Sequence, residues 1–176
     1  MRKLPIEEIH RPSLEAFQAQ AKLPFVAILD DIRSRSNVGT IFRSADAFAL
    51  ERLLLCGYTP APPHREIRKT ALGAEESIPH STHQDAVAAV QALQAEGYTV
   101  VALEHTDSSV AIADYTPPTK KLALVLGNEV AGVNQAVLDV CDAAVEIPQF
   151  GTKHSLNVGV AAGVAFYALR GKLSAI

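Results

Sequence analysis

Apolar residues occur along this chain in short, nearly continuous runs, separated by amphipathic stretches and polar turns. The runs predict strands at 25–29, 52–56, 98–103, 122–126 and 144–147. Their continuous apolar character favours strands that are buried on both faces, as in a parallel sheet. The amphipathic stretches predict helices at 13–21, 36–50, 84–96, 135–140 and 155–169. Because strands and helices alternate, we predict an α/β fold with a parallel sheet flanked by helices.

The length of 176 residues suits one domain with a substantial core. We expect a single domain over 1–176, in which 1–22 form a short N-terminal arm. This arm would carry the first helix, with Ser13 as its N-cap. Internal repeats and linkers are not apparent in the sequence.

Composition excludes several classes of protein. Apolar residues make up 48% and charged residues 20%, which indicates a globular rather than a disordered chain. A net charge of -3 argues against nonspecific coating of nucleic acid, although a local basic patch stays compatible with it. The N-terminus lacks the apolar core of a signal peptide, and the longest apolar run, 156–169, is too short to span a bilayer. A cytoplasmic protein without a membrane partner is therefore expected.

Common catalytic and metal motifs are missing. Val133 and Asn134 stand where a phosphate loop requires Lys and Ser or Thr, and no Gly-rich dinucleotide motif follows the first strand. No Gly-x-Ser-x-Gly elbow occurs. His80 and His83 lack a third ligand and are interpreted as polar residues at a helix entry. The two cysteines are far apart in apolar surroundings, so neither a metal site nor a disulfide is expected.

The first motif that holds lies at the start of the second predicted helix, in Asn37-Val38-Gly39 and Arg43. Ser36 or Asn37 can cap this helix, and Gly39 lets a ligand or a backbone approach closely. Arg43 follows about one and a half turns later. By spacing alone, Arg43 is also compatible with an ordinary surface arginine.

The second motif, Leu126-Gly127-Asn128-Glu129, directly follows a buried strand at the carboxyl edge of the predicted sheet. Ligands of open α/β sheets bind at that edge. A strand-end turn with a solvated glutamate would explain the same residues, so this motif alone leaves both interpretations open.

The third motif combines Ile-Pro-Gln at 147–149 with Ser-Leu-Asn at 155–157, before the closing helix. A role as N-cap would be enough to explain Ser155. Asn157 needs another reason, because an unpaired amide is costly in a helix otherwise made of Val, Ala, Gly, Phe and Leu.

These three motifs, in this order, resemble those of the SpoU/TrmH family of RNA 2′-O-ribose methyltransferases, within the SPOUT superfamily. The resemblance spans about residues 25 to 170, and the stretch 65–74 also resembles many members. Three departures occur: Gln149 stands where Met is frequent, Gly159 where Ser is frequent, and Ala49 where Gly often ends motif one.

The resemblance implies a C-terminal trefoil knot that creates a pocket for S-adenosylmethionine. It also implies a homodimer, with the motif-one helix and the last helix at the interface. Gly159 and Gly163 lie one turn apart and predict close packing against another backbone, which such a dimer axis would provide. The residues expected to line the cofactor pocket are Leu103, Glu104, Leu126, Gly127, Ile147, Gln149, Ser155 and Leu156.

By the same resemblance, Arg43 is the base or the group that activates the ribose hydroxyl. A guanidinium stays protonated at neutral pH, so stabilisation of a forming alkoxide, or relay through an RNA phosphate, suits it better than plain base catalysis. Asn37, Glu129, Ser155 and Asn157 would hold Arg43, the ribose and the cofactor.

The expected substrate is RNA, with tRNA as the first expectation and rRNA as the second. Basic residues of the predicted loops would contact its phosphates, although each is also compatible with a solvated surface. They are Arg33, Arg35, Arg65, Arg68, Lys69 and Lys153. Two alternatives stay open: a catalytically silent RNA-binding or ribosome-assembly factor on the same fold, and a small-molecule methyltransferase.

Overall fold

A seven-stranded, entirely parallel sheet forms the centre of the computed structural model, which describes residues 1–174. The strand order is β3-β2-β1-β6-β4-β7-β5. The strands are β1 (Phe25–Asp30), β2 (Arg52–Cys56), β3 (His80–His83), β4 (Thr99–Leu103), β5 (Val110–Ala111), β6 (Leu122–Leu126) and β7 (Ala143–Glu146). The α/β fold class and the parallel sheet are thereby confirmed.

Helices cover both faces of this sheet. They are α1 (Leu14–Ala19), α2 (Arg35–Ala47), α3 (Arg65–Ala71), α4 (Ala74–Ser77), α5 (Ala86–Ala95), α6 (Gln135–Leu138) and α7 (Val158–Leu173). Side chains of β1 alternate between two cores: Leu29 belongs to the cluster that includes Phe166 of α7, and Ile28 to the cluster that includes Val90 of α5. Every residue of β1 and β6 is buried, as their continuous apolar runs predict.

The first 22 residues are largely exposed and contain a 3-10 helix, Ile6–Glu8, followed by α1. Ser13 caps α1 by accepting a hydrogen bond from the amide of Ala16, as predicted. Within the part of the chain that the structure describes, no helix combines the length and the apolar character needed to cross a membrane.

Two helix starts differ from the prediction. Helix α2 is capped by Ser34, whose hydroxyl accepts from the amide of Asn37, and not by Ser36 or Asn37. The closing helix begins at Val158 and is capped by Asn157, so the prediction of Ser155 as its N-cap is wrong. Asparagine and serine cap about equally well. Here residues 150–157 remain outside regular structure, and 154–157 form part of a cavity wall.

Other elements have no counterpart in the prediction, namely α3, α4, β3 and β5. His80 and His83 lie on the edge strand β3, so their interpretation as helix-entry residues is wrong. Residues 1–174 contain no group of three or more His, Cys, Asp or Glu side chains arranged to hold a metal ion.

The glycines of α7 pack within the chain, against side chains of α2. A Cβ on Gly159 would lie 3.0 Å from Cγ2 of Thr40, and one on Gly163 would lie 3.4 Å from Oγ of Ser44. The close approach that these glycines predict is therefore intramolecular, and they do not by themselves indicate a dimer axis.

The connection from β4 to β6, residues 104–121, also reaches two distant elements. It contains β5, which pairs with the end of β7. Lys172, near the end of α7, donates to the carbonyl oxygens of Ala113 and Tyr115 in this connection. Helix α7 is thus held against the connection between β4 and β6.

Candidate active site

The turn after β6 is shaped by two glycines. A Cβ on Gly127 would lie 2.2 Å from the amide nitrogen of Val133, a distance that no side chain tolerates. Asn128 and Gly132 form an antiparallel bridge that closes the turn, and Gly132 has a φ of 72°. The backbone therefore folds back on itself directly after the strand, which only glycine allows at these two positions.

A cavity of about 720 Å³ lies between this turn, the ends of β4 and β7, and the start of α7. Its volume lies within the usual range for small-molecule sites. The structure brings all eight residues predicted to bind the cofactor to its wall: Leu103, Glu104, Leu126, Gly127, Ile147, Gln149, Ser155 and Leu156. Their role in binding the cofactor stays a prediction, but all eight residues line the same cavity.

Asn128 holds the turn to the neighbouring strand. Its side-chain oxygen accepts from the amides of Val130 and Ala131, at 2.9 and 3.0 Å. Its side-chain nitrogen donates to the carbonyl oxygen of Asp31 and to the hydroxyl of Tyr58, both at 2.7 Å. All its hydrogen-bonding capacity is used, which explains an asparagine at this position better than a ligand contact does.

Glu129 reaches from the same turn to the start of α2. One carboxylate oxygen accepts from the amide of Arg33 at 2.8 Å, and the other from the amide of Ser34 at 2.9 Å and from Nδ2 of Asn37 at 2.8 Å. Burial alone would raise the pKa of Glu129, but these three hydrogen bonds, together with one from its own backbone, outweigh it and lower the pKa below its usual value. Glu129 is exposed, but its hydrogen bonds to the start of α2 give it a structural role that a solvated turn residue would lack.

Asn37 continues this hydrogen-bonded chain to the last helix. Its side-chain oxygen accepts from Nδ2 of Asn157 at 3.0 Å. The side-chain oxygen of Asn157 in turn accepts from the amides of Gly159 and Val160. Both ends of the Asn157 amide are therefore paired, although the residue is exposed. One continuous network joins all three sequence motifs.

We expect replacement of Glu129 by glutamine to destabilise the protein in a pH-dependent way. Because the folded-state pKa is lowered, the charged carboxylate stabilises the fold above the unfolded pKa of about 4.3 and loses this effect as the pH falls through the folded pKa. Thermal unfolding of both proteins should differ most near pH 7, and the difference should shrink as the pH falls below about 4. A difference that does not change with pH would contradict a stabilising charge at this position.

Arg43 is not part of the cavity wall. It is exposed on α2, and its side chain makes no hydrogen bond or ion pair within residues 1–174. One turn before it along α2, Gly39 contacts Ile67 and Thr70 of α3, and Thr40 contacts Gly159 of α7. Arg43 therefore lies on the ridge of α2 between these two helices. Side chains on a helix tilt toward its N-terminus, in this case toward Asn37.

Ionisable side chains of the cavity are mostly acidic. Glu104 accepts from the amide of Val133 at 2.9 Å, and Glu146 pairs with Nδ1 of His105 at 3.1 Å. Hydrogen bonds from Ser109 and then His105 lower the pKa of Glu146. Together with Glu129, the wall contains three carboxylates, and none of the described residues that form it is a lysine or arginine. His105 and Glu146 were not identified from sequence, although their positions at strand ends could have indicated them.

The six basic residues predicted to contact RNA are all exposed. Arg33 and Arg35 flank the start of α2, and Lys153 lies in the segment before α7. The other three share α3, which does not line the cavity: they are Arg65, Arg68 and Lys69. Three of the six predicted residues therefore lie together on α3, and the other three lie near the start of α2 and before α7.

Comparison with known proteins identifies the class. The 23S rRNA (guanosine-2'-O-)-methyltransferase RlmB of Vibrio cholerae is 30% identical over 97% of this chain and 68% of its own length. The 23S rRNA (guanosine(2553)-2'-O)-methyltransferase RlmP of Bacillus subtilis is 34% identical over 83% of this chain and 58% of its own. The crystal structure of AdoMet-bound rRNA methyltransferase from Sinorhizobium meliloti has a TM-score of 0.79 and 28% identity, and covers 93% of this chain and 61% of that one.

Fold, motif order and cavity together are similar to those of RNA methyltransferases of the SpoU/TrmH type. The chain belongs to the SpoU rRNA Methylase family, whose model matches residues 24–167. The bound AdoMet of the Sinorhizobium enzyme confirms S-adenosylmethionine as a cofactor within this family.

Proposed function

We propose that this protein transfers the methyl group of S-adenosylmethionine to a ribose 2′-hydroxyl of ribosomal RNA. The observation that carries the proposal is the network through Glu129, Asn37 and Asn157, which connects the first-motif helix to the cavity. The curated relatives named above act on 23S rRNA, as their names state, and this favours rRNA over our first expectation of tRNA. The chain spans between 58% and 68% of the lengths of these two relatives.

The cavity suits this cofactor in size and in charge. S-adenosylmethionine supplies a methyl group on a positively charged sulfonium, which is already electrophilic. Glu104, Glu129 and Glu146 give the wall a negative potential that attracts such a cation. The tight turn at Gly127 lines the cavity, and in this proposal its backbone would contact the adenine or the ribose of the cofactor.

In this proposal the chain's own residues position the ribose and stabilise the charge that forms on its oxygen. Asn37 and Asn157 hold the start of α7 against α2, beside the cavity. Ser155 lines the cavity close to Asn157 and would contact the nucleotide. Arg43 would stabilise the developing alkoxide or act through an RNA phosphate, since an arginine retains its positive charge.

We also propose that the C-terminal segment is knotted. The support is the connection 104–121, which pairs with β7 through β5 and contacts Lys172 beyond that strand. Tracing the chain as a closed curve tests the knot directly. A curve that can be simplified to a plain loop would contradict it.

A homodimer is the proposed assembly. Val160, Val164 and Tyr167 lie four and three residues apart on one face of α7 and are 53%, 42% and 73% exposed. The ring of Phe48, just after α2, lies 6.0 Å from that of Tyr167 and extends the apolar surface. Such a surface on α2 and α7 matches the expected interface. A molar mass of one chain in light scattering would contradict the proposal.

The silent RNA-binding factor is the weaker alternative, because it has no need for an acidic cavity or for the complete motif network. Calorimetry with S-adenosylmethionine separates the two functions. Binding of S-adenosylmethionine favours the enzyme. A folded protein that does not bind it favours the silent factor.

Labelled methyl transfer identifies the substrate class. We expect the purified protein to incorporate methyl label from S-adenosylmethionine into 23S rRNA transcripts, and to a much lower level into total tRNA. Mixed small metabolites serve as the control for a small-molecule methyltransferase. A preference for tRNA would contradict the rRNA assignment but would preserve the reaction.

A further inference from the structure

A second cavity, of about 800 Å³, lies beside α3. It shares no lining residue with the first cavity. Its described lining residues belong to the loop before α3, to α3 and α4, and to β3: Pro62, Pro63, His64, Arg65, Arg68, Lys69, Glu75, Glu76 and His80. Neither the mechanism nor the cofactor uses this cavity.

The ring-bearing side chains of this cavity are held in place. Nδ1 of His64 accepts from the amide of Glu66 and caps α3. The ring of His80 packs edge-on against Phe42 of α2, with 5.2 Å between the ring centroids. Pro62 and Pro63 add two rigid rings beside them. Histidine is among the aromatic side chains on which unstacked RNA bases stack, and the proline rings add apolar contact area beside the two histidines.

The cations of this cavity are largely available. Glu75 accepts from the amide of Gly73, and Glu76 lies 3.8 Å from Arg68 in a loose ion pair. Arg65 and Lys69 form no ion pair in the described part of the chain, and they lie four residues apart on the same face of α3. Two exposed cations with no carboxylate partner are suited to phosphate oxygens.

Arg43 lies on α2 close to both α3 and α7. Gly39 on α2 contacts α3, and Thr40 contacts α7, which forms part of the first cavity. Arg43, one turn further along, therefore lies between α3, which lines the second cavity, and α7, which lines the first. An RNA strand whose reacting ribose is at Arg43 would continue across α3.

We propose that the second cavity binds a single-stranded nucleotide of the substrate RNA that flanks the methylated one. Arg65 and Lys69 contact its phosphates, and the base packs on the rings of Pro62, His64 and His80. This inference rests on the proposed function for the identity of the RNA. It adds a subsite that would restrict methylation to nucleotides with an unpaired neighbour.

Two double variants test the phosphate contacts. Arg65→Ala/Lys69→Ala removes the proposed cations, and Arg11→Ala/Lys120→Ala removes the same two residue types from exposed positions elsewhere. The probe is a fluorescent, short single-stranded RNA of random sequence. In the first variant, the slope of log affinity against log salt should fall by roughly 1.4, because each single-strand phosphate contact contributes about 0.7. Equal slopes in the two variants would overturn the proposal.

Photo-cross-linking locates the base. The same RNA containing 4-thiouridine is irradiated with the wild-type protein, and the modified peptides are mapped by mass spectrometry. Cross-links to His64 or His80 are expected. Cross-links only around the first cavity would overturn the subsite. Because both readouts measure binding, a protein that binds RNA here without methylating it would contradict the proposed function and not the subsite.

Discussion

Replacement of Arg43 by alanine should reduce methyl transfer by at least about 100-fold, the usual effect of removing one group that stabilises a developing oxyanion. Binding of S-adenosylmethionine should stay near the wild-type level, because Arg43 is not in the cavity wall. Folding should also be retained, since the side chain is exposed and makes no hydrogen bond or ion pair within residues 1–174. The variant therefore separates the chemistry from cofactor binding.

Single-turnover transfer and calorimetry measure these two properties. Arg43→Lys is the informative companion variant, because lysine retains the charge but lacks the planar fork of arginine. Partial activity in Arg43→Lys would indicate that charge matters most, and activity as low as in Arg43→Ala would indicate bidentate contact. Near-normal turnover in Arg43→Ala would contradict the assigned role.

Replacement of Gly127 by alanine should both destabilise the protein and abolish cofactor binding. The new Cβ would lie 2.2 Å from the Val133 amide nitrogen and 2.3 Å from the Gly132 carbonyl carbon. These are backbone atoms, which cannot rotate away, so the turn itself must move. We expect a loss of about 3 kcal/mol in the free energy of unfolding, at the upper end of the range for overpacking.

Gly171 provides the matched control. It lies in α7, and a Cβ there would meet nothing within 4 Å. Gly171→Ala should stabilise the protein by about 0.5 kcal/mol through helix propensity. Urea unfolding and calorimetry with S-adenosylmethionine compare the two variants. Wild-type stability and binding in Gly127→Ala would show that the turn does not shape the cavity.

Elements with strong hydrophobic patterns were predictable, and elements without them were not. Strands β1 and β6 are buried on both faces, and their uninterrupted apolar runs showed this. Strand β3 reads His-Ser-Thr-His and lies at a sheet edge, mostly exposed, so no apolar pattern marks it. Helix α3 buries only Ile67 and Ala71, too few residues to establish a helical period.

The motifs were predictable as a set, but their connections were not. Asn157 was singled out because an unpaired amide is costly, and the structure pairs both of its ends. The partner, Asn37, lies 120 residues away in sequence, so only the folded chain brings them together. Asn157, which caps α7 in place of Ser155, is likewise held by its pairing with the distant Asn37. Local sequence does not contain that information.

The chemical nature of the product tests the central claim most directly. The enzyme is incubated with 23S rRNA and methyl-labelled S-adenosylmethionine, and the RNA is then hydrolysed with alkali. A methyl group on the 2′-oxygen removes the nucleophile that alkali requires, so the label should be recovered in an alkali-stable dinucleotide. Label in a mononucleotide would place the methyl group on a base and would contradict the account, as would the absence of label from a protein that binds the cofactor.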